Sequence, residues 1–258
     1  MKPGRDALLG LGALFLFALL FFHDVVAGGV FFFGDFHAAF EPLRAILGRA
    51  LRQGLPLWNP ALGNGQPLLA SPFAQALYPP NLLFALSGLS AARLLTLLVI
   101  THVLWGAAGV WLLLRRRGEG PSARLAGALV FAFCGISVSA TYLVALTTTG
   151  AWVPWLLLVF EIVREARTPA ARARASGLFA AVVAAMLLAG EPSSLAAAFL
   201  GLALFWLFDP ARSPRLRHAA WAAAGIAGGA VLASPLLVAA LRYLPATVRS
   251  AGFPYAVL

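Results

Sequence analysis

Long apolar runs alternate along the chain with short polar stops. The first run, from Ala7 to Phe22, follows Lys2 and Arg5 and predicts a helix over 7–22. The small residues Val25-Val26-Ala27 leave a second reading of that run, as a cleavable leader. Six further runs predict spans at 91–114, 125–142, 148–163, 175–189, 193–208 and 219–241. Arg115-Arg116-Arg117 stops the second, Thr147-Thr148-Thr149-Gly150 reads as a turn before the fourth, and Gly190-Glu191-Pro192 is a tight turn before the sixth. Trp152 and Trp155 read as markers of a membrane interface.

The segment 23–80 breaks this rhythm, being polar and rich in proline and glycine. Within it Phe36, Phe40, Leu43, Leu47 and Leu51 recur at steps of four, three, four and four, which is one helical face. Pro42 is tolerated only in a first turn and Gly54 ends the pattern, so the spacing predicts a helix over 41–53. Arg44, Arg49 and Arg52 fall on the opposite side, the composition of a helix lying along a membrane surface. A helix packed in a small fold outside the membrane fits the same pattern.

Composition agrees with a bilayer. Hydrophobic residues make up 61% of the 258 and charged residues 11%, less than half of what a soluble surface carries. The net charge of +10 does not point to nucleic acid, because the basic residues sit in clusters between apolar runs. Thirteen of the 19 lysines and arginines fall at the N-terminus and in the loops after the second, fourth and sixth runs. By the positive-inside rule those loops are cytoplasmic, as is the N-terminus, and 23–80 is external. The expected fold is an all-α membrane protein with about seven transmembrane helices and an amphipathic interfacial helix in a large first outer loop. The single cysteine, Cys134, excludes an internal disulfide, and the four histidines are too scattered to suggest a zinc site.

Almost nothing ionisable lies within the predicted spans, which argues against a proton relay or an ion-coupled pore. Polar residues gather instead on the outer side. Asp35 follows the first span at the water–lipid boundary, where a general base would meet a lipid-borne donor and a water-borne acceptor; it also reads as a helix cap. Glu41 stands at a helix start, as a second acid or as a cap. His37 precedes it by four residues and would share its face, to orient a carboxylate or bind phosphate. Arg44, Arg93 and Arg242 are candidates to pair with a phosphate. Trp58, Asn59 and Gln66, with the turn Gly63-Asn64-Gly65, offer an aromatic face and amides suited to a sugar, or make an ordinary ordered loop. Tyr78 and Asn81 follow, and Glu191 stands in a later outer turn as a converging carboxylate or a solvated one.

Several short strings occur in order across nearly the whole chain. They are Gly34-Asp35, Gly54-Leu55-Pro56-Leu57-Trp58-Asn59-Pro60, Gly63-Asn64-Gly65-Gln66-Pro67 and Tyr78-Pro79-Pro80-Asn81-Leu82-Leu83. Phe133-Cys134-Gly135, Trp152-Val153-Pro154-Trp155, Gly190-Glu191-Pro192, Leu244-Pro245 and Ser250 follow. In these the chain resembles the YfhO-like bacterial membrane proteins of the GT-C class of glycosyltransferases. The resemblance implies transfer of a sugar from a polyprenyl-phosphate donor to an envelope glycan or glycolipid acceptor, on the outer face of the bacterial cytoplasmic (inner) membrane. It implies Asp35 as catalytic base, with Glu41 or Glu191 as second acid and His37, Arg44, Trp58, Asn59, Gln66, Tyr78 and Asn81 as substrate contacts. Many such chains carry histidine where this one has Glu191. Their greater length suggests that 1–258 is one GT-C-like module from the N-terminal part of a longer chain. The sequence gives no sign of a divalent metal or other cofactor. A lipid or glycolipid transporter and a non-catalytic scaffold are the competing readings.

Overall fold

The computed structural model describes residues 3–61, 65–84, 86–209 and 216–247, with side chains from residue 10 onward except at 83 and 84. Lys2, Gly63, Asn64 and Ser250, named above, and Arg212, Arg215 and Arg249, which count among the 19 basic residues, lie outside them.

The described residues are mostly helical. Helix α1 (Pro3–Phe21) and the short α2 (His23–Val26) lead to a π-helical turn, Phe36–Phe40, that runs into α3 (Glu41–Gln53). A two-residue antiparallel ladder, β1 (Trp58–Asn59) on β2 (Gln66–Pro67), closes the next loop. A 3₁₀ turn at Pro72–Ala74 and α4 (Pro79–Phe84) complete the loop region. The bundle continues with α5 (Ala91–Arg116), α6 (Pro121–Phe133), α7 (Gly135–Ala140), α8 (Val144–Gly150), α9 (Val153–Glu165), α10 (Pro169–Leu188) and α11 (Pro192–Phe208). It ends with α12 (Leu216–Leu232) and α13 (Ser234–Tyr243).

Among the described residues four helices or helix pairs are long and apolar enough to cross a membrane: Ala91–Arg116, Pro121–Ala140, Val144–Glu165 and Pro169–Leu188. A fifth exists if the bent pair α12–α13 is one span, while Gly10–Phe21 and Pro192–Phe208 are apolar but shorter. Large apolar side chains lie bare on the bundle, among them Leu20, Val130, Ile136, Leu200, Phe208 and Leu241, each more than 60% exposed. A chain folded in water would not leave such a coat uncovered; a bilayer covers it.

The bundle has two distinct ends. Ion pairs bring the C-terminal ends of α5 and α9 together with Asp209 after α11, so these ends and the start of α10 form an arginine end. The described part of 23–84 reaches the other, loop end, where Gln75 bonds to Thr148 and Ala189 and Pro72 lies against Gly190. Helix α1 lies on α5 at Gly10, where a Cβ would meet the Trp111 ring, and Leu14 joins the core of Val103, Ala107, Trp111, Ala128 and Ala132. Helix α12 lies against α10 in the same close manner, with Gly225 on Phe179 and Gly229 on Val183. These small residues serve close helix packing.

Two sequence expectations are corrected and two are refined. The run predicted as a span over 125–142 falls largely within Pro121–Ala140, which is long and apolar enough to cross a membrane, but its helix is interrupted at Cys134, whose backbone turns extended (ψ 159°), and the Ser137 hydroxyl donates to the Phe131 carbonyl that the interruption would otherwise leave exposed. Thr147–Gly150 is not a turn but the end of α8; the chain turns earlier, at 141–143. Threonine is tolerated in this helix because its hydroxyl bonds back to the preceding turn, Thr148 Oγ1 donating to Val144 O at 2.9 Å. The indole N–H groups of Trp152 and Trp155, read from the sequence as interface markers, donate to Tyr78 Oη (2.8 Å) and Trp105 O (2.9 Å) within the protein. The span 219–241 is bent by 71° after Leu232, where Pro235 opens a new helix and withholds an N–H from the old one.

Candidate functional site

The helix over 41–53 has the bounds its sequence pattern predicts, and its apolar face meets the bundle rather than lipid. Phe36 and Phe40 pack on Leu95, Leu98, Val99 and Val144. Leu47 packs on Leu68, Ala74 and Ala76, with Leu43 and Leu51 at the edge. The helical run begins ahead of Pro42 because the π turn absorbs it: the Glu41 N–H reaches back to Phe36 O.

Arg44 corrects the reading of its helix. Arg49 and Arg52 are exposed, but Arg44 turns inward and is buried. Its two terminal nitrogens donate to Ala74 O and to the Gln75 side chain. Burial pulls its guanidinium down to about 9, so it stays charged at neutral pH. No carboxylate faces it among the described residues.

Gln75 is the hub of this region. It is fully buried, with φ +50° at the end of the 3₁₀ turn. Its side-chain amide nitrogen donates to Thr148 Oγ1 at 2.7 Å and to Ala189 O, and its main-chain carbonyl accepts from Asn81 Nδ2 at 3.0 Å. The loop thus reaches α8 and the end of α10. Gly190 lets it come so close: its φ is +83°, and a Cβ there would lie 2.1 Å from Pro72 O.

Beside this hub runs a second buried chain of hydrogen bonds. Trp152 Nε1 donates to Tyr78 Oη, Tyr78 lies 2.5 Å from His102 Nε2, and His102 Nδ1 lies 2.6 Å from Leu98 O. With Nδ1 donating to the carbonyl, Nε2 accepts from the tyrosine. Burial pushes the Tyr78 hydroxyl well above its usual range against the pull of the Trp152 bond, which keeps it a donor. His102 also lines an apolar groove of about 260 Å³ between α5 and the broken helix pairs, with Ile136, Ser137, Leu146 and Thr147.

The remaining candidates divide by exposure. Asp35 is exposed where the helical run begins and makes no capping bond. His37 and Glu41 meet as their spacing predicts, Nδ1 to Oε2 at 2.8 Å, and the exposed Phe32 ring lies 4.0 Å from the imidazole. Glu191 is the N-cap of α11: partial burial would raise its carboxyl, but bonds from the Ser193 and Ser194 side chains and backbone prevail and hold it below the usual range. None of its hydrogen bonds runs to Asp35 or Glu41. Trp58 is exposed over Gly65, Gln66 is exposed, and Asn59 is buried, accepting from Ala61 N at 3.0 Å. Asn81 and Tyr78 are buried within the two networks. Among the described residues no three His, Cys, Asp or Glu side chains converge on a metal position.

The arginine end holds a cluster that the apolar runs conceal. Glu161, within the predicted fourth span, and Asp209 are buried with Arg164, whose Nη1 lies 3.0 Å from Glu161 and 2.7 Å from Asp209. Arg117 joins both carboxylates, at 3.2 and 2.7 Å. The Asp209 hydrogen bond leads in raising the Arg117 pKa above its ordinary value. A glutamate three residues before an arginine was the one local signal.

Comparison of the chain with protein-family models, with curated proteins and with solved structures finds no match.

Proposed function

We propose that this chain is the membrane module of a glycosyltransferase that moves a sugar from a polyprenyl-phosphate donor to an envelope acceptor on the outer face of the bacterial inner membrane. The observation that carries the reading is the edge formed by exposed Asp35 and His37 with half-buried Glu41, at the loop end of a bundle coated with bare apolar side chains. A lipid-borne donor and a water-borne acceptor meet at such an edge. Asp35 takes the proton of the acceptor hydroxyl as that oxygen bonds to the anomeric carbon, and the polyprenyl phosphate departs with the electrons of the broken bond. His37 holds Glu41 oriented beside it. Arg93, whose guanidinium reaches Gly28 in the same loop region, is the cation for the donor phosphate; Arg44 is committed within the protein.

In this reading α1, α11 and the bent α12–α13 pair join the four longer candidates to make seven passes, with the N-terminus and the arginine end cytoplasmic. A membrane-impermeant thiol probe tests the orientation on a Glu119→Cys protein lacking Cys134. It should leave intact cells unlabelled and react after lysis; labelling of intact cells would reverse the orientation.

A transporter of lipid or glycolipid is the second reading. The breaks at Cys134 and Ala233 favour it, since irregular backbone at membrane depth lines transport sites. Purified protein in vesicles with a radiolabelled polyprenyl-phosphate sugar separates the two. Label should move to an acceptor; label that only changes leaflet supports transport, and label that does neither removes both.

A further inference from the structure

A polar cavity of about 670 Å³ opens at the arginine end, lined by Arg164, Glu165, Ala166, Arg167, Arg172 and Arg217. The nearby carboxylates are already engaged. Glu161 and Asp209 hold Arg117 and Arg164, and Glu165 holds Arg116 at 2.5 Å. Arg172 braces the α9–α10 turn, donating to Ala166 O and Arg167 O at 3.0 Å each. Arg167 and Arg217 are exposed on the cavity and pair with no carboxylate among the described residues.

A helix dipole sharpens the imbalance. Arg172 lies in the first turn of α10, where the dipole is positive and disfavours a cation. A helix start and several guanidinium groups therefore face one open cavity with a surplus of positive charge. An anion placed there relieves every one of these contacts at once. Its shape follows from the donors: planar guanidinium forks match the oxygens of a phosphate.

We propose that this cavity binds a phosphate group, carried either by an anionic lipid headgroup at that membrane surface or by a small soluble phosphate. Basic pockets between membrane helices are suited to such headgroups. The site stands apart from the Asp35 edge and does not depend on the transfer reading.

The full chain in phosphatidylcholine nanodiscs tests it, with phosphatidylglycerol titrated in one arm and inorganic phosphate in the other. Binding is read by native mass spectrometry for the lipid and by calorimetry for phosphate. The Arg167→Gln/Arg217→Gln protein should bind about thirtyfold more weakly, since each arginine near an anionic surface contributes roughly fivefold. Arg115→Gln/Arg124→Gln, which removes the same charge outside the cavity, should bind nearly as the parent does. Saturable binding in the lipid arm names the headgroup as ligand, and in the phosphate arm the soluble anion. Binding in neither arm, or equal loss in both double variants, would overturn the proposal. Should the cavity variant fail to insert, Arg217→Gln alone carries the test, with about fivefold loss expected and no loss contradicting it.

Discussion

The two ends of the bundle bury arginine in opposite ways. At the arginine end Arg164 is fully buried, yet Glu161 and Asp209 compensate its charge and share it with Arg117. At the loop end Arg44 is buried against a carbonyl and an amide, neutral acceptors that take its two terminal nitrogens, while its Nε has no partner among the described residues and its charge is left standing. The first arrangement ties the helices α5, α9 and the end of α11 into a strut. The second pins a loop to a bundle and keeps one positive charge beneath that loop. Burial of charge therefore does different work at each end: cross-bracing where carboxylates are supplied, and loop docking where they are not.

If compensation is what separates the ends, loss of a carboxylate should cost more than loss of an amide. Asp209→Asn leaves Arg117 and Arg164 to share Glu161, and breaking a buried pair in this way costs about 3–5 kcal/mol. Chemical unfolding in detergent should show that loss, and a loss no greater than that of the amide variant would erase the distinction. Gln75→Leu removes one of the two acceptors of Arg44 and the donor to Thr148 and Ala189. A hydrogen bond to a charged group contributes about 1.5–3 kcal/mol, so the cost should be of that order and local. Hydrogen exchange should rise at 66–81 with the α10–α12 contact still protected. Gly190→Ala should release the same loop without touching its hydrogen bonds, because the new Cβ would collide with Pro72 O.

The smallest effect belongs to the cap of α11. Glu191→Ala should cost about 1 kcal/mol, the usual loss for an N-cap. The Glu191 carboxyl is held below its ordinary range, so its contribution is fully present above the unfolded-state pKa and fades as pH falls through the lower folded value. The parent should lose α11 protection on acidification and the variant should not show that step.

Much of this layout is legible in the sequence. The arginine stops and apolar runs reveal most helices, and Pro42, Gly54 and the phenylalanine–leucine spacing delimit α3. The pairing of His37 with Glu41 is local and follows from a four-residue step. What the sequence hides is held by distant partners. Arg44 looks solvent-facing until Gln75, 31 residues on, turns out to be its acceptor. Asp209 and Arg117 are separated by 92 residues. The threonines of α8 read as a turn because their hydroxyls suit turns as readily as helix backbones, and only the docked loop decides between them.

The central claim rests on Asp35. Asp35→Asn preserves shape and exposed position while removing the base, so the protein should insert normally, bind the donor and lose about 10²–10⁴ in transfer rate. Asp24→Asn, the nearby and highly exposed control, should keep its rate. Transfer of labelled sugar is the measurement. Near-parental turnover by Asp35→Asn, in an assay where the parent is active, would contradict the account.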